Sequence, residues 1–153
     1  MTWSVLESGA PELARIVRSR LDATGVAILG TIRADGSPRL DPIEPFFIDG
    51  ELVLGVGARS AKARDLRRDP RCALHAIVSG ANAGEPDAKL HGRVERSDAV
   101  GGWWAGRPAG DADVYLFVVA EAVTIEWDLT ASRMRVRRWT PAGGETVAER
   151  AYP

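Results

Sequence analysis

The chain has 153 residues, of which 45% are hydrophobic and 27% charged, and its formal net charge is −1. This length fits one domain, 1–153, with a single core, and the composition excludes disorder. Near-neutrality excludes a global field that would draw the protein to nucleic acid or an anionic membrane, so any anion it takes must be bound locally.

Residues 1–22 mix three acidic with three basic side chains rather than forming a basic stretch leading into an apolar core. No later run approaches the roughly 20 apolar residues of a membrane helix, so a cytoplasmic location without a membrane partner is expected. Over Pro11–Leu21, Leu13, Ile16, Val17 and Leu21 share one helical face and Pro11 suits a first turn, which predicts one amphipathic N-terminal helix. Gly25 opens Val26–Ile32, a short apolar run that reads as a buried strand, and residues 34–37 turn the chain. Pro38–Ile48 continues as a second extended segment, because Pro42 and Pro45 deny it helix and suggest an edge or a bulge. Asp49-Gly50 is a hairpin turn into a third strand, Glu51–Val56, and the meander is antiparallel.

Ser60–Arg68 reads as a helix with Ser60 as its cap and Pro70 just past its end. Cys72–Val78 is the next strand, residues 79–87 a loop, and Lys89–Arg96 an alternating, half-exposed strand. Residues 98–113 form an irregular or partly helical crossing that carries Trp103 and Trp104, followed by strands over Val114–Ile125 and Arg133–Trp139. Six or seven short strands with two helices predict a closed or split antiparallel barrel rather than a doubly wound sheet.

The densest charge feature is Arg59–Arg71, which begins where a strand ends and a helix starts. Free backbone N–H groups, the positive end of the helix dipole, the Ser60 hydroxyl and Lys62 converge there, as a phosphate site requires. A solvated helix face would carry the same charges. Lys62 and Arg59 approach one terminal phosphate from the loop, and Arg39 is placed to join them, whereas Asp65 and Asp69 read as partners in helix ion pairs. Lys62 stands out further because it and Lys89 are the only lysines among 20 Lys and Arg residues.

No metal site is expected, since His75 and His91 lie on different strands with no short-spaced partner. Neither a nucleophile elbow nor a phosphate-loop or dinucleotide fingerprint occurs, so no catalytic residue is assigned. Cys72 reads as a small buried hydrophobe, and Trp103, Trp104, Trp127 and Trp139 as core or dimer contacts.

Three stretches, residues 31–39, Asp49-Gly50-Glu51-Leu52 and Ser60–Arg71, together resemble the pyridoxamine 5′-phosphate oxidase-like family of flavin-binding split barrels. The likeness covers nearly the whole chain; residues 126–127, 133–137 and 150–153 resemble the family's end less specifically. It implies a mainly β fold, a split antiparallel barrel of the FMN-binding type with an N-terminal helix and one helix after the third strand. It also implies a homodimer with cofactor sites between subunits and a small-molecule substrate. On this resemblance Ser60 and Lys62 meet the cofactor phosphate and Arg39 opens the second-strand cofactor motif. Gly55 and Val56 line the ring, and Trp127 and Arg137 occupy cofactor-contacting positions. Glu44 stands where the oxidases themselves have a Lys, Ala61 replaces a basic residue, and Arg135 stands in place of a substrate-binding His. These departures point away from vitamin B6 oxidation. The Arg-rich composition and the Ser-x-Lys-x-Arg pattern also resemble actinobacterial relatives that use coenzyme F420 instead of FMN. The implied activity is hydride transfer by a flavin or deazaflavin; the alternative is a protein that binds or sequesters deazaflavin, flavin or haem without turnover.

Overall fold

The computed structural model describes residues 2–80, 84–97 and 111–151. The crossing that carries Trp103 and Trp104 therefore lies outside the described residues. Where the sequence pattern predicts one N-terminal helix there are two, α1 (Trp3–Gly9) and α2 (Pro11–Thr24). Pro11 has no N–H to continue a helix and forces the residue before it out of the helical region, so Ala10 sits at φ −152° and ψ 69°. Thr2 gives α1 no side-chain cap; instead the Glu51 carboxylate, far along the chain, accepts from the Trp3 backbone N–H at 2.8 Å. Trp3 is fully buried and meets Phe47 edge-on, ring centroids 4.8 Å apart. α2 buries the predicted Leu13, Ile16, Val17 and Leu21, and ends at Gly25, whose φ of 65° suits a residue without Cβ.

The strands are β1 (Ala27–Ile32), β2 (Pro38–Ile43), β3 (Pro45–Ile48), β4 (Glu51–Gly57), β5 (Arg71–Ala76), β6 (Asp87–Arg96), β7 (Ala112–Asp128), β8 (Arg133–Thr140) and β9 (Gly144–Ala151), with α3 (Ala61–Arg68) between β4 and β5. The predicted Pro38–Ile48 segment is thus two strands interrupted at Glu44, and β9 is a strand that the sequence pattern does not predict. All ladders are antiparallel, in the order β2-β1-β5-β6-β7-β4-β3, while the far half of β7 pairs with β8 and β8 with β9.

This order fixes the shape. β2 and β3 stand at opposite ends of the series, yet Glu44 alone separates them in the chain. Two Cα–Cα steps span no more than about 7 Å, so the sheet must curl until its two edges meet. Among the described residues no ladder joins those edges, and Pro42 and Pro45 flank the gap without N–H groups to offer. The result is a barrel split along one seam.

Leu29, Leu52, Leu54, Leu74, Leu90 and Phe117 fill the interior, with Trp3, Leu6, Leu13 and Val17 brought in by α1 and α2. Trp139 is buried among them, as predicted, with 3% of its surface exposed. At His91/Gly92 the β6–β7 register shifts, and a Cβ on Gly92 would lie 2.1 Å from the Val118 carbonyl oxygen, so the bulge brings two backbones together as only Gly permits. No helix among the described residues is long and apolar enough to cross a membrane.

Candidate functional site

A cleft of about 320 Å³ opens on the seam, lined by Val26, Pro42, Ile43, Glu44, Gly55, Gly57 and Lys62. Its position follows from the fold: β2 ends there, β4 runs on past Leu54, where its ladder with β3 stops, and α3 begins beside it. At the α3 start, Ser60 has extended φ and ψ of −70° and 160°, and its Oγ accepts from the Ala63 N–H at 3.1 Å. That is the predicted cap, and it leaves the hydroxyl proton available to donate. The N–H groups of Ala61 and Lys62, in the first turn, have no intrahelical acceptor.

The loop carbonyls are held by guanidinium groups of α3. Ala58 O accepts from Arg67 Nη2 at 2.8 Å and Arg59 O from Arg64 Nη1 at 3.1 Å. Half-buried Lys62 reaches across the seam, where its Nζ donates to the Pro42 carbonyl of β2. Of the predicted phosphate donors, Lys62 lines the cleft and Ser60 caps the helix that begins beside it, with Gly55 and Gly57 forming part of the lining. Glu44 brings a carboxylate to the same cleft.

The remaining predicted residues lie elsewhere. Val56 is fully buried, so its side chain belongs to the core and not to the cleft. Arg59 is exposed on the loop. Arg39 does not line the cleft: its Nε donates to Asp65 Oδ2 at 2.6 Å, alongside the Thr31 hydroxyl at 3.1 Å and Arg68 at 3.3 Å. Trp127 and Arg137 lie on β7 and β8. Trp127 lines a separate hollow of about 250 Å³ with Glu126, Met134, Arg135 and Glu149, and Arg137 is paired to Glu126 at 3.1 Å and Glu145 at 3.5 Å. Gly55 pairs with Val114, and from there to Trp127 β7 runs on for about 40 Å of contour at ~3.3 Å per residue.

Asp65, expected in a helix ion pair, makes one with Arg68 at i,i+3, but it is buried. The Arg39 hydrogen bond chiefly, with those of Thr31 and Arg68, holds its carboxyl below the usual range against the opposing effect of burial. Asp69, also expected in a helix ion pair, instead caps the end of α3 and pairs with Arg71 of β5, whose guanidinium lowers its pKa to about 2. A second buried carboxylate, Asp113, gives no sequence signal, since it simply precedes a β-branched run. Asp65 has one: it neighbours Leu66 on the buried side of α3.

Elsewhere, a hollow of about 560 Å³ on the outer face of β1, β5, β6 and β7 is floored by small residues, Gly30, Ala73, Gly92 and Ala120. Leu40, 72% exposed, borders it beside Gly30. Among the described residues no cluster of His, Cys, Asp and Glu is arranged to hold a metal ion.

A family model described as pyridoxamine 5′-phosphate oxidase matches residues 13–122. No curated protein matches. Among solved structures, the fold resembles PhzG from Burkholderia lata 383 in complex with tetrahydrophenazine-1-carboxylic acid, with a TM-score of 0.73 and 12% identity over 94% of this chain and 93% of that one. It also resembles a pyridoxamine 5′-phosphate oxidase-related, FMN-binding protein from Nostoc punctiforme, at TM-score 0.62 and 10% identity over 94% and 96% of the two chains. A heme binding protein from Mycobacterium smegmatis is similar at TM-score 0.56 and 16% identity over 90% and 88%.

Proposed function

Since the chain belongs to the pyridoxamine 5′-phosphate oxidase family, we propose that it is an oxidoreductase that binds FMN, or coenzyme F420 in its place, and works on a small organic substrate as a homodimer. The observation that carries this reading is the cationic start of α3 opening onto the seam cleft. The donor set fits a phosphate: two first-turn amides, a capping hydroxyl with a spare proton and a lysine ammonium. When bound, the cofactor supplies the hydride chemistry.

Each residue has a distinct task. Ser60 and Lys62 hold the phosphoryl group, and Arg59 adds positive potential from the loop. Gly55 and Gly57 let a flat ring approach the β4 backbone. Arg39, braced by Asp65, contributes from behind α3 rather than from the cleft wall. Trp127 and Arg137, a long contour away on β7 and β8, are assigned to a cofactor held by a second copy of the chain, which is why the dimer belongs to the proposal. Glu44 would repel a second anionic group beside the phosphate and so disfavours a substrate that is itself a phosphate ester.

A second reading, a carrier without turnover, draws on the cleft's own chemistry: among the described residues its lining offers only Glu44 and Lys62 as titratable side chains, and Lys62 is already engaged with Pro42. Titration with FMN and with F420, followed by absorbance, decides the main question. We expect micromolar binding of one of them and about a tenfold loss in Lys62→Ala, the size of one charge-assisted hydrogen bond; no binding of either ends the proposal. Turnover assays with quinones, enals and tetrapyrroles then separate enzyme from carrier.

A further inference from the structure

Asp113 lies at the start of β7 with 3% of its side chain exposed, and three donors converge on it. Arg67 Nη2 stands at 2.5 Å, the Tyr115 hydroxyl at 3.2 Å and Arg96 Nη2 at 3.4 Å. A buried carboxylate needs such partners, since an unpaired one would be strongly destabilising. Arg67 has a second task. The same Nη2 donates to the Ala58 carbonyl at 2.8 Å, while the Ala58 N–H donates to the Asp111 carbonyl at 2.9 Å. The start of β7 thus grips both polar groups of Ala58, Asp111 directly and Asp113 through Arg67. Two residues later Ser60 caps α3.

We infer that Asp113 is a positioning residue for the phosphate site: acting through Arg67, it fixes the Gly57–Ser60 loop so that the first amides of α3 and the Ser60 hydroxyl face the cleft. The inference rests on the proposed function of that cleft. Arg67 is 43% exposed, so without the Asp113 charge its guanidinium is free to turn into solvent and release the Ala58 carbonyl. The loop would then sample orientations in which its amides no longer converge. Asp113 itself touches no ligand.

The test is Asp113→Asn, read as the ratio of FMN to riboflavin affinity, because the two ligands differ only in the phosphate. If F420 proves to be the ligand, F420 and its phosphate-free chromophore replace them. We expect FMN affinity to fall about tenfold, the loss of roughly one charge-assisted contact, with riboflavin affinity changed by less than twofold. A parallel loss of both ligands indicates a merely structural role and overturns the inference, as does an unchanged ratio. Should Asp113→Asn fail to fold, Arg67→Gln, at a partly exposed position, reads the same ratio: a selective loss of FMN supports the inference, and an unchanged ratio overturns it. Wild-type protein that binds no flavin or deazaflavin sinks the proposed function and this inference with it; wild-type binding with an unchanged ratio in the variant sinks the inference alone.

Discussion

At the scale of single residues, environment decides chemistry more than identity does. Cys72 is a sequence-legible buried thiol, and burial pushes its pKa from the ordinary 9.0 up to about 12. The sign of its pH effect follows. Between pH 9 and about 12 the unfolded thiol loses its proton while the folded one keeps it, so this contribution to stability is complete below pH 9 and declines as pH rises through that window. Its slope cannot exceed about 1.4 kcal/mol per pH unit. Urea midpoints of wild type and Cys72→Ala at pH 8 and pH 10.5 should therefore converge at the higher pH. Native Cys72 should also resist alkylation at pH 8, since the thiolate is the reactive form. The same contrast separates the carboxylates. Asp65 and Asp69 both belong to a charged run that reads as solvated, but only the three-dimensional packing of α3 against β1 and β4 turns Asp65 inward to gather Arg39, Thr31 and Arg68.

At the scale of elements, local chemistry makes some features legible and not others. Ser60 and the strand-to-helix change at Arg59–Lys62 are readable because a cap, a charge run and a proline stop coincide within one short stretch. α1 is not, since Trp3 and Leu6 make too short a pattern, and its cap, Glu51, is supplied from β4. β9 escapes as well: its residues are almost all exposed, so no alternation marks it, and it exists because β8 offers a ladder. Nor does periodicity reveal the β6 bulge. There Gly92→Ala would drive a methyl group into the Val118 carbonyl, backbone that cannot step aside cheaply. We expect a loss of about 2–3 kcal/mol, typical of overpacking, measurable by chemical denaturation. A variant within about 0.5 kcal/mol of wild type, the range of an inconsequential surface change, would mean the bulge yields more readily than its geometry implies.

At the scale of the whole molecule, sequence order alone predicts an antiparallel barrel, but the seam emerges only from the complete strand pairing. Trp127 and Arg137 lie far from Lys62 along one chain, which is why the proposal draws them from a partner. Leu40 offers a handle on that partner, being an exposed leucine beside an apolar hollow. Leu40→Asp places a charge at a position that contributes little to the core, so light scattering should show a dimer reduced to monomers while the unfolding midpoint of the subunit stays nearly unchanged. A monomeric wild type at micromolar concentration would remove the shared site. The seam has one more effect. Open sheets tend to recruit foreign strands along their bare margins and grow into fibrils. Here two such margins face each other across a single residue and carry Pro38, Pro42 and Pro45, which withhold the amides an intruding strand would seek. Among the described residues β9 is a further margin, and Glu145, Glu149 and Arg150 stud it with charge, so a fold whose hydrogen-bonded ring stays open still resists becoming the template for a filament.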